Sequence, residues 1–192
     1  VTGTTRERIM EAAVALLRRH GPTKVTVIDV ARALGMSHGN IYRHFASKAE
    51  LFDAIAERWL HTVSDPLEAI AAAPQPAAVR LEAWVLTLMH LKLHKLQDDP
   101  ELFAVYHAVA EEARGVVAQH VATLLGQLER IIAEGVVLGE FTLQEQAAAA
   151  RAVLNATMPF HHPALLTTVL PAEAEARAVL ALLVAGLRSG SL

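Results

Sequence analysis

Apolar residues recur along this chain at the helical period. Ile9, Ala12, Ala13, Leu16 and Leu17 stand at i, i+3, i+4, i+7 and i+8, with Arg6, Glu7, Arg18 and Arg19 largely off that stripe. This spacing predicts an amphipathic first helix, and His20-Gly21-Pro22 is a signal to stop it. Three further helix starts crowd into the next stretch. Thr26 with Asp29 and Ser47 with Glu50 have the spacing of a capping box, and Ser37 between them can cap a third helix. Beyond residue 60 breaks are expected at Pro66, Pro74-Gln75-Pro76, Asp98-Asp99-Pro100, Gly139 and Pro159-Phe160-His161-His162-Pro163, with Pro171 opening a last helix. The segments between them predict helices near 77–97, 101–134, 143–158 and 172–187, the second of these divided in two near Gly115. No internal repeat stands out.

Composition agrees with an all-α chain. Of 192 residues 53% are hydrophobic and only 5% aromatic, with Ala and Leu dominant, which is too apolar for disorder and too poor in β-formers for a mainly β protein. There is no cysteine, so disulfide and thiolate chemistry are excluded. The longest apolar run, Ala178 to Leu187, falls far short of the roughly 20 residues that span a bilayer. Val1-Thr2-Gly3-Thr4-Thr5 lacks the apolar core of a signal peptide, so a cytoplasmic protein with no membrane partner is expected.

The net charge of −3 speaks against a nucleic-acid partner until it is divided. Residues 1–60 carry nine Lys and Arg against six Asp and Glu, giving +3, whereas residues 61–192 carry eight against fourteen, giving −6. A small basic module on an acidic body is the implied layout, and only the module needs to meet phosphates.

The informative tract runs from Thr26 to Phe45. A two-turn helix with Val30, Ala31 and Leu34 inward is followed by the turn Gly35-Met36-Ser37 and by a second short helix, His38 to Phe45, with Ile41 and Phe45 inward. Two short helices joined this tightly need a small residue where they approach, a residue tolerant of positive φ in the turn and an apolar residue to fill the angle. Ala31, Gly35 and Ile41 meet these needs in order. The outward side chains of the second helix suit a duplex. His38, Gly39 and Asn40 at its N-terminal end are candidates for base-edge or close groove contact, and Arg43 for guanine or phosphate. Tyr42, His44 and Lys48 are candidates for phosphates, as are Ser37 at the cap and Thr26 through its hydroxyl and backbone N–H.

Taken together, Thr26-Val27, Asp29-Val30-Ala31, Leu34-Gly35-Met36-Ser37, Gly39, Ile41-Tyr42-Arg43-His44-Phe45, Ser47-Lys48 and Leu51-Phe52 resemble the N-terminal domain of the tetracycline-repressor (TetR) family. The resemblance covers about the first 55–60 residues, and Asn40 stands where family members vary. It implies a three-helix helix-turn-helix domain at residues 1–50 and a helical effector-binding and dimerisation domain at 51–192. It also implies a homodimeric repressor of a palindromic operator, released by a small molecule.

For the body, residues 81–94 are apolar around most of the helix circumference and predict a central position. Trp84, Leu88, Met89, Phe103, Tyr106 and His107 are candidates to line a pocket for a small apolar effector, with no cofactor required. The Ala-rich helices near 143–158 and 172–187 offer small residues for close helix packing. The resemblance places the dimer interface there. Ten histidines are many for this length. His90 and His94 at i, i+4 could share a divalent metal ion with His107, His161 or His162, which leaves a metal-responsive regulator or a histidine-dependent hydrolase as alternatives. No GxSxG, GxGxxG or P-loop pattern supports an enzyme.

Overall fold

The computed structural model describes residues 3–21 and 23–191, so Val1, Thr2 and the Pro22 of the stop signal lie outside the described residues. Ten α-helices and one 3₁₀ turn make up the described fold, with no strand among those residues. The helices are α1 (Thr5–His20), α2 (Val27–Ala33), α3 (His38–Tyr42), α4 (Lys48–Ala71), α5 (Ala77–Asp98), α6 (Pro100–Glu112), α7 (Arg114–Val137), α8 (Gln146–Ala156), α9 (Pro163–Leu166) and α10 (Glu173–Ser189). The 3₁₀ turn, Met158–Phe160, follows α8.

Contacts divide the chain into two compact units. One is Val1–His61 with Asp99–Gln119, and the other is Thr62–Asp98 with His120–Leu192. The sequence points to a single cut near residue 50, but the first unit also recruits α6. The reason lies in its core. Ile9, Ala13 and Leu17 of α1, Val30 and Ala31 of α2, Ile41, Phe45 and Ile55 are fully buried, and Val105, Val109 and Ala113 complete the same cluster. Three short helices and the start of α4 have more apolar surface than they cover among themselves. Trp59 adds two aromatic contacts from α6, edge-on to Phe103 at 6.1 Å and stacked on Tyr106 at 5.1 Å.

Local signals explain most helix ends in this unit. Thr4 and Glu7 form a full capping box on α1, and Thr26 and Asp29 form one on α2. At α4 the Ser47 hydroxyl accepts from the Glu50 N–H, while the Glu50 carboxylate reaches one residue further back, to the N–H of Ala46 at 2.7 Å. The expected stop at Pro66 does not occur: α4 continues to Ala71 with Pro66 inside it. A mid-helix proline costs about 3 kcal/mol. Here the ring is exposed, and the fully buried stripe of Val63, Leu67 and Ala71 outweighs the missing N–H.

The second unit is built around α5. Trp84 is fully buried, its Nε1–H donating to Oε1 of Gln127 at 2.9 Å, and Gln127 donates in turn to the Ser64 carbonyl at 3.1 Å. The first N–H groups of α5, at Ala77 and Ala78, donate to the Glu140 carboxylate at 2.9 and 3.2 Å. A negative group at that end also suits the helix dipole. Buried Arg80 donates to Glu134 at 2.6 Å and to the Ala71 carbonyl at 2.8 Å. Close packing is tightest at Gly135, where an added Cβ would lie 2.4 Å from the Phe141 ring. The division of segment 101–134 falls at Ala113, leaving Gly115 in the first turn of α7.

Candidate nucleic-acid interface

The first unit arranges its short helices through three local devices. Gly35 adopts φ +63°, the left-handed conformation that the turn between α2 and α3 requires. The Met36 N–H then bonds the Ala31 carbonyl at 2.9 Å, which ends α2, and the Ser37 hydroxyl accepts from the Asn40 N–H at 3.3 Å, which starts α3. Ile41, fully buried, fixes the inward face of α3. The second short helix is expected to reach Phe45, but α3 ends at Tyr42. Arg43 to Phe45 form a turn in which the Phe45 N–H bonds the Ile41 carbonyl at 3.0 Å. The chain must reverse there, because α4 begins at Lys48 just after the Ser47 cap.

What α3 exposes is chemically open. His38, Gly39 and Arg43 are exposed, Tyr42 is 50% exposed, and Asn40 and His44 are half-buried. Among the described residues, no hydrogen bond or ion pair occupies the side chains of His38, Tyr42, Arg43 or His44. Gly39 has nothing within 4 Å of where a Cβ would stand, so no neighbour in this chain demands glycine there. Thr26 is different. Its hydroxyl donates to the Asp29 carboxylate at 2.6 Å and accepts from the Asp29 N–H at 3.2 Å. The hydroxyl proton is therefore engaged. Those Thr26 hydrogen bonds, followed by Arg32, hold the Asp29 carboxyl below its usual range.

Two cations lie over buried aromatic rings, Lys48, already a phosphate candidate, and Arg6, which spacing did not single out. The Arg6 guanidinium lies 4.5 Å from the centroid of the Phe45 ring, and the Lys48 ammonium 4.7 Å from that of Phe52. Both aromatic rings are buried, so each cation stands on a fixed platform beside the α3 turn or the start of α4. A basic residue off the stripe of α1, with an aromatic residue just after the second short helix, is the only sequence trace of the first pair. At the other end of α1, about 18 Å along the helix from Arg6 at 1.5 Å per residue, Arg18 pairs with Asp99 at 3.0 Å and Glu101 at 3.2 Å. Residues 1–61 with 99–119 carry ten basic and ten acidic groups, so this unit has no net charge. Its positive character is local.

The remaining candidates separate. Trp84, Leu88 and Met89 are at most 1% exposed in the core of the second unit. Phe103, Tyr106 and His107 belong to the first unit, where His107 lies 3.9 Å from Glu111. The metal reading is corrected. His90 pairs with Glu173 at 2.9 Å and His94 with Asp98 at 3.0 Å, His161 is buried beside Thr157, and His162 is exposed. Among the described residues, no three His, Cys, Asp or Glu side chains converge on one point. The i, i+4 spacing of His90 and His94 places both on one face of an exposed helix segment, where each binds a carboxylate partner instead. No helix among the described residues is long and apolar enough to cross a membrane.

Comparison with known proteins accords with this geometry. Residues 9–55 match the bacterial regulatory proteins of the tetR family, and residues 77–180 match the tetracycline repressor-like C-terminal domain. The nucleoid occlusion factor SlmA of Marinobacter nauticus is 29% identical over 135 residues, 68% of this chain and 67% of that protein. A probable acrEF/envCD operon repressor of Escherichia coli is 40% identical over 60 residues, but the match spans only 31% of this chain and 26% of the repressor. The structure of the transcriptional regulator FadR from Bacillus subtilis, in complex with stearoyl-CoA, shares the fold with a TM-score of 0.70 at 20% identity, covering 94% of this chain and 98% of that one. With a helix-turn-helix unit matching at one end and more than half its length matching the C-terminal domain, the chain belongs to the TetR family of transcriptional regulators and is not an enzyme.

Proposed function

We propose that this protein is a homodimeric transcriptional repressor that grips a palindromic operator through α3 and lets go when a small molecule binds its helical body. The observation that carries the reading is the contrast within one unit. Arg18, Asp29 and Arg32 are closed into ion pairs, whereas His38, Tyr42 and Arg43 stand exposed and unengaged beside an open glycine. In this reading His38, Gly39 and Asn40 approach base edges, and Arg43 reads guanine or grips phosphate. Tyr42, His44, Lys48 and the Ser37 hydroxyl hold phosphates, with Arg6 joining them from α1. Asp29 occupies both the hydroxyl and the backbone N–H of Thr26, so phosphate contact at the start of α2 falls to the next N–H groups, those of Val27 and Ile28.

Dimerisation is assigned to α8 and α10. Ala174, Ala178, Ala181, Leu182 and Ala185 form an exposed stripe on α10, with Leu182 75% exposed, and Ala148, Ala152 and Ala156 are exposed or half-buried on α8. Small residues at this spacing let a second copy pack closely, and a two-fold pairing sets two α3 helices about 34–36 Å apart, one turn of DNA. An effector that favours another spacing shifts the population away from the DNA-bound form. Selection from random duplexes tests the reading. A repressor of this kind enriches an inverted repeat, and enrichment of no sequence by the folded dimer contradicts it.

A further inference from the structure

Near the C-terminal end of α1 the first unit pairs one arginine fully and leaves two others unpaired. Each nitrogen of the Arg18 guanidinium faces a carboxylate oxygen, Nη1 and Nη2 those of Asp99 at 3.0 Å and Nε that of Glu101 at 3.2 Å. Arg18 and Glu101 also line a groove of about 580 Å³ bounded by α1, α4 and α6, all within this unit. Arg19 of α1 and Arg58 of α4 line the same groove, the first exposed and the second half-buried. Among the described residues neither guanidinium has a hydrogen bond or an ion pair, and the same holds for the Glu11 carboxylate and the Tyr106 hydroxyl, whose side chains also line the groove. Stacking on Trp59 holds the Tyr106 ring in place. Val14, Ala15 and Leu102 supply apolar surface.

The volume lies within the range of small-molecule sites, about 300–1,000 Å³, and a few placed polar groups against apolar walls are what such sites need. Charge selects the ligand. Of the groups left unpaired, Arg19, Arg58 and Glu11 leave one positive charge over, and one bound monoanion balances it. A phosphate monoester carries about 1.5 to 2 negative charges at pH 7 and sets its surplus against Glu11 and Glu101. The planar guanidinium matches the two oxygens of a carboxylate. Half-burial of Arg58 leaves less water to screen such a pair than at a fully exposed arginine.

We propose that this groove binds a small organic monocarboxylate, gripped at its charged end by Arg58, Arg19 and the Tyr106 hydroxyl and lying with its apolar part on Val14, Ala15 and Leu102. The sequence offers Tyr106 for an effector pocket, yet this groove belongs to the helix-turn-helix unit, and no residue of α3 lines it. The site is additional to the effector reading of the helical body and stands independently of it. A bound acid ties α1, α4 and α6 together.

Isothermal titration of the full chain at pH 7, without DNA, compares 4-tert-butylbenzoate and 3-phenylpropionate with their amides and with phenyl phosphate. At least one acid is expected to bind ten-fold or more tightly than its amide, and more tightly than phenyl phosphate. Arg58→Met keeps the apolar stem, loses the charge and removes that preference, with a melting temperature close to that of the unaltered protein. Arg19→Gln weakens the acid several-fold. Glu11→Gln acts in the opposite direction and tightens it, because an unpaired carboxylate leaves the groove, and a damaged fold does not produce such a gain. Arg19 and Glu11 are exposed, so these two variants decide the matter if Arg58→Met melts lower. No heat from either acid, equal binding of acids and amides, or acid binding that none of the three substitutions alters overturns the proposal. An acid that binds undiminished in Arg58→Met and releases DNA keeps the effector reading and overturns this site.

Discussion

The two units treat glycine and charge in opposite ways. In the first, Gly39 faces open space, and Tyr42 and Arg43 stand exposed without internal partners. In the second, Gly135 is pressed against Phe141 and Ala77, and Arg80 is buried on Glu134. The first unit leaves unused bonding capacity at one small helix, where a partner from outside can use it. The second turns Arg80, Gln127 and Thr157 inward, where they hold the core, and closes its exposed charges into pairs such as Arg130 with Glu68. Net charge does not show this difference. The first unit sums to zero and the second to −3, with seven basic and ten acidic residues. Placement shows it, because Asp99 and Glu101 neutralise Arg18 at the far end of α1 from Arg6.

The contrast is broken most severely at Gly39. Gly39→Glu sets a carboxylate against phosphates and is expected to weaken operator binding at least ~100-fold by fluorescence anisotropy, about 3 kcal/mol, while the melting temperature hardly moves. Loss of stability together with affinity would show that Gly39 serves the fold.

A comparable energy is expected in the body when pH falls. His161 binds its proton only near pH 4 in the folded state but near 6.5 when unfolded, so the unfolded chain gains protons first as pH drops. Stability is therefore lost between pH 6.5 and 4, by about 3 kcal/mol from this group. His161→Phe should remove that part of the pH dependence in urea titrations, and an unchanged slope would assign it elsewhere.

Gly135→Ala comes next. Overpacking against Phe141 should cost about 1–3 kcal/mol of stability, with operator affinity of the folded protein preserved. Chemical denaturation and anisotropy on one preparation separate the two effects. The smallest expected changes are at the phosphate contacts. Tyr42→Ala and Lys48→Ala should each weaken binding across all sequences by about 1 kcal/mol, and Lys48→Ala should lower the salt slope by about one. Arg43→Ala should instead relax preference at one base pair, and an unchanged preference would move Arg43 to the phosphate class.

Much of the first unit was legible because its determinants are local. Capping pairs three residues apart, a glycine in the turn and a buried Ile41 all act within about twenty residues, so the starts of α2, α3 and α4 could be placed with their caps, and α1 by its apolar stripe but without its Thr4 cap. What escaped depended on long-range packing. Pro66 reads as a break, yet tertiary burial of Val63, Leu67 and Ala71 carries α4 through it. The recruitment of α6 to the first unit follows from Val105 and Val109, whose destination no periodicity reveals. The histidines misled for the same reason. An i, i+4 pair states which face two rings share, but Glu173, the partner of His90, is 83 residues away. Lys92 was hidden within a helix apolar on most sides, where a single cation reads as solvated unless its burial is known.

Hydrogen–deuterium exchange of the full chain, with and without its selected duplex, tests the central claim most directly. DNA should slow amide exchange in segments spanning Thr26 to Lys48, with the strongest effect around Ser37 to His44, and Gly39→Glu should abolish that protection. Protection confined to residues of the second unit, or no protection with saturating duplex, would contradict the assignment of α3 as the element that grips DNA.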